Sequence, residues 1–219
     1  MRGSLDTNVI IHFYRAHLQS ILFEMFEDGV FIYEQIRSIE LEHHGKMILL
    51  NVDSDIKSGK IEVYTNDKLK EQGVYKIFET YVKENKLLYG TGDLGEVYAI
   101  SLAQTIGAYS LVTDDVKQGG PYMSLLQLDY DVMPFNFVDI LILRYLSGKA
   151  DEYQTTVDFK LINEASDLNW SLKGHLVRFV KRFLKEPYKK EEKEWFETWA
   201  WNNHIDVMSK LKRLSNLVN

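Results

Sequence analysis

The 219-residue chain has no cysteine. That single absence excludes disulfide stapling, thiol nucleophiles and thiolate-bound zinc, and it points to a reducing compartment, so a cytoplasmic location is expected. Proline is scarce, with three in the whole chain, which leaves long stretches free to form helix. No apolar run approaches the roughly 18 residues needed to span a bilayer. The first one opens at Val9 and is broken at His12, with no charged leader before it, so neither export nor membrane insertion is expected. No Gly-rich loop ending in Gly-Lys-Ser/Thr occurs, which argues against phosphoryl transfer from ATP.

Positive charge is scarce in one part of the chain only. Residues 1–136 hold 12 Lys or Arg against 20 Asp or Glu, a net of −8, whereas residues 137–219 hold 14 against 12, a net of +2. Within the second part, residues 173–193 carry eight basic and three acidic side chains. Such a patch can neutralise backbone phosphates, or it can be the solvated face of a helix.

With 45% hydrophobic residues the chain can bury a real core. Up to about residue 137, short β-rich runs alternate with helical spacing, the pattern of an α/β domain whose parallel sheet is flanked by helices. Strands are expected to end at Leu5 and to span 30–33, 61–65 and 109–113. A further strand at 130–135 contains Pro134 and therefore belongs at a sheet edge. Helical spacing covers 9–25, a segment through Ile36, Ile39 and Glu40, then 68–84 and 94–107, with a loop at 89–93. Residues 138–219 read as an α-helical extension. In it, 172–185 places Leu176, Phe179, Val180 and Phe183 on one face and Arg178, Lys181, Arg182 and Lys185 on the other, with Pro187 as the stop. Trp195, Trp199 and Trp201 read as packing residues in a later helix.

Five acids stand at the ends of apolar runs: Asp6, Glu40, Glu96, Asp114 and Asp115. Hard divalent cations take oxygen ligands, and carboxylates gathered from separate elements can hold Mg²⁺ or Mn²⁺ against a phosphate. Ligands of open parallel sheets collect beyond the carboxyl ends of the strands, where Asp6 and Asp114-Asp115 fall. If their strands are neighbours, these side chains converge, and Glu40 and Glu96 can reach the same cleft from helices. Each acid also has a local alternative. Asp6 can cap the helix after it, and Asp114-Asp115 can open a turn. Glu42, His43 and His44 point in different directions on a helix and read as solvated surface. His12 reads as a hydrogen-bonded core histidine, and Glu34 as a helix-start acid.

Four segments resemble, in order, the motifs of the PIN-domain family, small α/β metal-dependent nucleases that include toxins of bacterial toxin–antitoxin pairs and RNA-processing enzymes. Leu5-Asp6-Thr7-Asn8-Val9-Ile10-Ile11 is similar to the first motif and Gln35-Ile36-Arg37-Ser38-Ile39-Glu40-Leu41 to the second. The segment from Gly92-Asp93-Leu94-Gly95-Glu96 through Ala103 is close to a variant of the third, and Leu111-Val112-Thr113-Asp114-Asp115 looks like the fourth. The resemblance covers about residues 1–137 and leaves the extension unexplained. It implies Asp6, Glu96 and Asp115 as metal ligands, with Asp114 beside them. It gives Glu40 a place in the shell or on a ligated water, and Asn8 and Thr113 an orienting role. The implied activity is Mg²⁺- or Mn²⁺-dependent endoribonuclease cleavage that leaves a 5′-phosphate and a 3′-hydroxyl. The implied partners are RNA and an antitoxin-like protein inhibitor, with a homo-oligomer also in view. Arg178, Lys181, Arg182 and Lys185 would then dock phosphates. The competing expectation is a PIN-like module that binds RNA or protein without turnover.

Overall fold

A computed structural model of the chain describes residues 1–89, 94–117, 120–127 and 131–218. Expectations for the loop at 90–93, for the turn opened by Asp114-Asp115 where it reaches Gln118-Gly119, and for Tyr130 concern residues outside that set. The chain forms two compact units, Met1–Asn136 and Phe137–Asn219. Among the described residues, no helix is long and apolar enough to cross a membrane.

The first unit is α/β. Its strands are β1 (Gly3–Leu5), β2 (Val30–Tyr33), β3 (Ile61–Tyr64), β4 (Ser110–Val112) and β5 (Met133–Phe135), all parallel, in the order β3-β2-β1-β4-β5. Parallel strands require crossovers, and helices supply them here. Helices α1 (Thr7–Arg15) and α2 (Ser20–Met25) lead from β1 to β2. A π-helical turn, Ile36–Glu40, then runs into α3 (Leu41–His44) and is followed by α4 (Leu49–Lys57). Helices α5 (Asn66–Glu71), α6 (Tyr75–Tyr89) and α7 (Leu94–Ile106) lie between β3 and β4, and α8 (Pro121–Gln127) precedes β5. Covered on both faces, β2 has all four residues buried. Phe31 and Tyr33 on one of its faces pack with Tyr64, Leu69, Phe78 and Leu102. Pro134 lies in β5 at the sheet's edge, where its missing N–H costs no ladder bond to a further strand.

The central strand departs from the usual branched apolar run for local reasons. Ser4 is fully buried, and its hydroxyl donates to the Ala99 carbonyl at 2.8 Å, fastening β1 to α7. Arg2 donates to the Ile106 carbonyl at 2.7 Å and lies over the Phe31 ring.

Two helices expected from periodicity are broken. The apolar spacing over 9–25 continues through a gap between α1 and α2, where His17 adopts φ 57°. Its N–H donates to the Tyr14 carbonyl and that of Leu18 to the Phe13 carbonyl, a C-cap that ends α1 although side-chain spacing alone would carry it on. The stretch over 68–84 divides into α5 and α6 at Gly73, φ 72°.

The described elements of the second unit are all helical: α9 (Phe137–Leu146), α10 (Glu152–Ala165), α11 (Leu172–Val180), a second π-helical turn (Lys181–Lys185), α12 (Lys190–Asn202) and α13 (Val207–Leu217). Asp151, Ser171 and Asp206 cap α10, α11 and α13 through side-chain oxygens. Phe179, Phe183 and Phe196 are each buried to 1% exposure or less and pack with one another, Phe179 edge-on to Phe196, and the stacked pair Trp195 and Trp199 extends the cluster. Each such ring contributes about 1.5–3 kcal/mol by burial. Trp201, by contrast, is 81% exposed.

Candidate functional site at the carboxyl edge of the sheet

From β1 the chain extends the sheet to one side with β2 and β3, then returns to build β4 and β5 on the other, so the order reverses between β1 and β4. The carboxyl ends flanking such a reversal form a crevice. Register decides what stands there. Leu5 pairs with Val112, so Asp6 and Thr113 are the next residues out on adjacent strands. The Asp6 N–H donates to the Val112 carbonyl at 2.9 Å, and the Thr113 N–H to the Phe135 carbonyl at 2.9 Å.

Thr113, fully buried, links two of the acids. Its hydroxyl donates to Asp6 Oδ2 at 3.1 Å and accepts the Asp115 N–H at 3.2 Å. The other Asp6 oxygen accepts the Thr7 N–H at 2.7 Å, so Asp6 is also the N-cap of α1. The capping reading and the edge-site reading therefore describe the same side chain, 2% exposed.

Helix α7 packs against β1, β2 and β4 and delivers Glu96, 4% exposed, in its first turn. Gly95 explains how it comes so near. A Cβ there would lie 3.3 Å from Thr7 Oγ1, tighter than side-chain carbons ordinarily pack, and 3.4 Å from Glu40 Cγ, at the edge of ordinary contact, so glycine eases the approach to Thr7. The same contact locates Glu40, half-buried at the end of the first π-helical turn, beside the start of α7. A π turn re-aims the residues after it and is frequent at functional positions.

The remaining residues divide. Asp114, 8% exposed, turns to His12, whose Nδ1 lies 2.6 Å from Asp114 Oδ2 across 102 residues of sequence. His12 is thus hydrogen-bonded but partly exposed rather than sealed in the core. Asp115 pairs with Lys117 Nζ at 2.6 Å. Asn8 is exposed, whereas Thr7 beside it is 6% exposed, with its hydroxyl against Gly95. Glu34 accepts the Asn66 N–H at 3.0 Å and serves the start of α5. His43 and His44 are exposed. Asn136, 3% exposed just beyond β5, joins the same row of strand ends. Thr7, His12 and Asn136 escape motif reading. The available signals were a polar residue directly after a strand, for Asn136, a polar residue at the start of the following helix, for Thr7, and for His12 a polar residue within an apolar helix face.

Among the described residues, no group of three or more His, Asp or Glu stands ready to hold a metal ion. The acids share one edge, yet Asp6, Asp114 and Asp115 each turn to a local donor. The donor chemistry nonetheless fits a hard cation, being carboxylates together with Thr7 Oγ1, a buried hydroxyl with no hydrogen-bond partner among the described residues.

In the second unit the basic face needs correction. Arg182 is 3% exposed, and its guanidinium grips Glu192 with two hydrogen bonds of 2.7 and 2.8 Å while standing 3.5 Å from Asp139. Arg178, Lys181 and Lys185 are exposed, with Lys181 paired to Glu186. Arg182 is therefore a core ion pair and not a phosphate contact. Helical periodicity placed it on the polar face, and the buried carboxylates Asp139 of α9 and Glu192 of α12 hold it inward.

Comparison with protein-family models, curated proteins and solved structures finds no match to this chain.

Proposed function

We propose that the chain is a PIN-like, divalent-cation-dependent endoribonuclease whose site lies between the carboxyl ends of β1 and β4. One observation carries this reading. Two acid-bearing strand ends are adjacent at the sheet's reversal, joined by one buried hydroxyl, and the glutamates of two further elements come in through the close contact at Gly95.

Asp6, Glu96 and Asp115 would hold Mg²⁺ or Mn²⁺, with Asp114 beside them. Such an ion, when bound, supplies positive charge against a phosphodiester and lowers the pKa of water. The protein's own contribution is positional. Thr113 holds the Asp6 carboxylate and the Asp115 backbone in one arrangement, and the α1 N-terminus sets the angle of Asp6. Thr7 offers a buried hydroxyl beside Gly95, at the start of α7. Glu40, the more exposed glutamate, is suited to take a proton from the attacking water. Hydrolysis breaks the P–O3′ bond, the leaving 3′-oxygen takes a proton, and a 5′-phosphate remains. RNA as the substrate rests on the motif resemblance.

The decisive test is incubation of purified protein with labelled single-stranded RNA, structured RNA and DNA, with and without Mn²⁺. RNA cleavage that requires Mn²⁺ and disappears in Asp6→Asn supports the reading, and cleavage that survives Asp6→Asn removes it. The His12–Asp114 and Lys117–Asp115 contacts favour a second reading, a PIN-like module that binds RNA or protein without turnover. Mn²⁺ separates the two, because a working carboxylate site raises the melting temperature on adding the ion and a retired one does not.

A further inference from the structure

A groove of about 670 Å³ runs between α11, with the π-helical turn that continues it, and α13. Its base is Leu176 and Leu211, both buried, and its walls include Val177 at 62% and Met208 at 67% exposure. Apolar walls left this open lose about 25 cal/mol for each Å² that could be covered. The rim is cationic, formed by Lys173, Lys181, Lys185 and Lys212. Lys181 pairs with Glu186, the single acid of the lining, whereas Lys173, Lys185 and Lys212 form no ion pair among the described residues.

We propose that this groove docks an amphipathic helix of a protein partner, with an apolar stripe that meets Val177 and Met208 and acidic flanks that meet the lysines. Charge complementarity selects the occupant, since three uncompensated lysines border an apolar floor in a chain whose net charge is −6. The shape agrees, because a trough between two packed helices accepts a third through side chains at i, i+3, i+4 and i+7. Nucleic acid suits it less well. The lining holds no aromatic ring on which a base could stack, and phosphates gain nothing from a Leu, Val and Met floor. A small molecule would lie mostly in water between walls so exposed. The proposal is independent of the nuclease reading, which concerns the other unit.

The test uses the full chain and a capped, fluorescent helical peptide of about 15 residues. The peptide carries leucines on one stripe and glutamates flanking it, and its control is a scramble of the same composition. Anisotropy should show binding about tenfold or more tighter than the scramble, weakening about tenfold in Val177→Asp and again in the double variant Lys185→Glu/Lys212→Glu. All three positions are exposed, and circular dichroism should confirm that both variants fold as the parent does. Equal binding of the scramble, or peptide affinity unchanged by Val177→Asp, overturns the proposal. A labelled oligouridylate that is released by the lysine variant, unaffected by Val177→Asp and not displaced by peptide would reassign the face to RNA and equally overturn it. So would sedimentation showing a dimer that Val177→Asp dissolves, which would make the occupant a second copy of this chain.

Discussion

Both units bury carboxylates, but the partners of Asp6 and Asp114 at the sheet's edge differ in kind from those of the helical unit. In the helical unit, Glu192 is held by two hydrogen bonds from Arg182, and Asp158, 1% exposed, accepts from Arg144 at 2.8 Å and from Gln154 at 2.7 Å. In the α/β unit, Asp6 is met by a threonine hydroxyl and a backbone N–H, and Asp114 by an imidazole nitrogen. A guanidinium carries its charge permanently and matches a carboxylate with a rigid fork, so such pairs behave as fixtures of the core. Hydroxyls and amides orient a carboxylate without cancelling its charge, which leaves it able to attract a cation. The contrast separates Asp6 and Asp114 from acids that serve the fold, among which the α/β unit has its own in Asp55, held by Lys60 at 3.0 Å and by the Tyr14 hydroxyl at 2.7 Å, while Asp115 meets the more exposed Lys117.

The largest expected effect tests the chemical side of this contrast. Asp6→Asn should abolish Mn²⁺-dependent RNA cleavage while circular dichroism stays unchanged, since one neutral oxygen still accepts from Thr7 and keeps the cap. Next is the structural side. Arg182→Met should destabilise the protein by about 3–5 kcal/mol in urea unfolding, because it strands Glu192 in the core. A loss under about 1 kcal/mol would place the pair among ordinary surface bridges and erase the distinction. Thr113→Val should weaken Mn²⁺ binding about 10–100-fold by calorimetry, with Thr113→Ser restoring it, as expected for a group that orients ligands.

The smallest effect concerns pH. Burial first, then the hydrogen bond to Glu152 and its charge, push the Tyr145 phenol up to about 12. The folded state therefore holds this proton more tightly than the unfolded chain, whose phenols titrate near about 10. The contribution is complete below about pH 10 and is lost as pH rises towards about 12. Tyr145→Phe should lower stability at neutral pH and flatten the decline over that alkaline window in denaturant titrations.

Much of the α/β layout was legible along the chain. Val30–Tyr33 forms the strand that its buried, branched and aromatic residues suggest, and Pro134 sits at an edge because proline cannot serve an interior ladder. The acids after Leu5 and Val112 could be placed at strand ends by the same reasoning, and the parallel register puts them on neighbouring strands. The breaks at His17 and Gly73 were not legible, because apolar spacing runs on through both while single left-handed backbone angles turn the chain aside.

The sequence alone determined what depends on near neighbours: the alternation of strand and helix, the strand ends that carry acids, the cap at Asp6, and the absence of any thiol chemistry. Side-chain period and backbone propensity act over a few residues and leave their mark in the order of letters. Only tertiary structure decided which charge meets which. Asp114 turned to His12 rather than to Asp115's surroundings, Arg182 left the solvated face for Glu192, and Thr7 rather than Asn8 was buried against Gly95. Those choices follow from how helices pack. Desolvating a charge is costly enough that it is buried only where a partner from another element is already in reach.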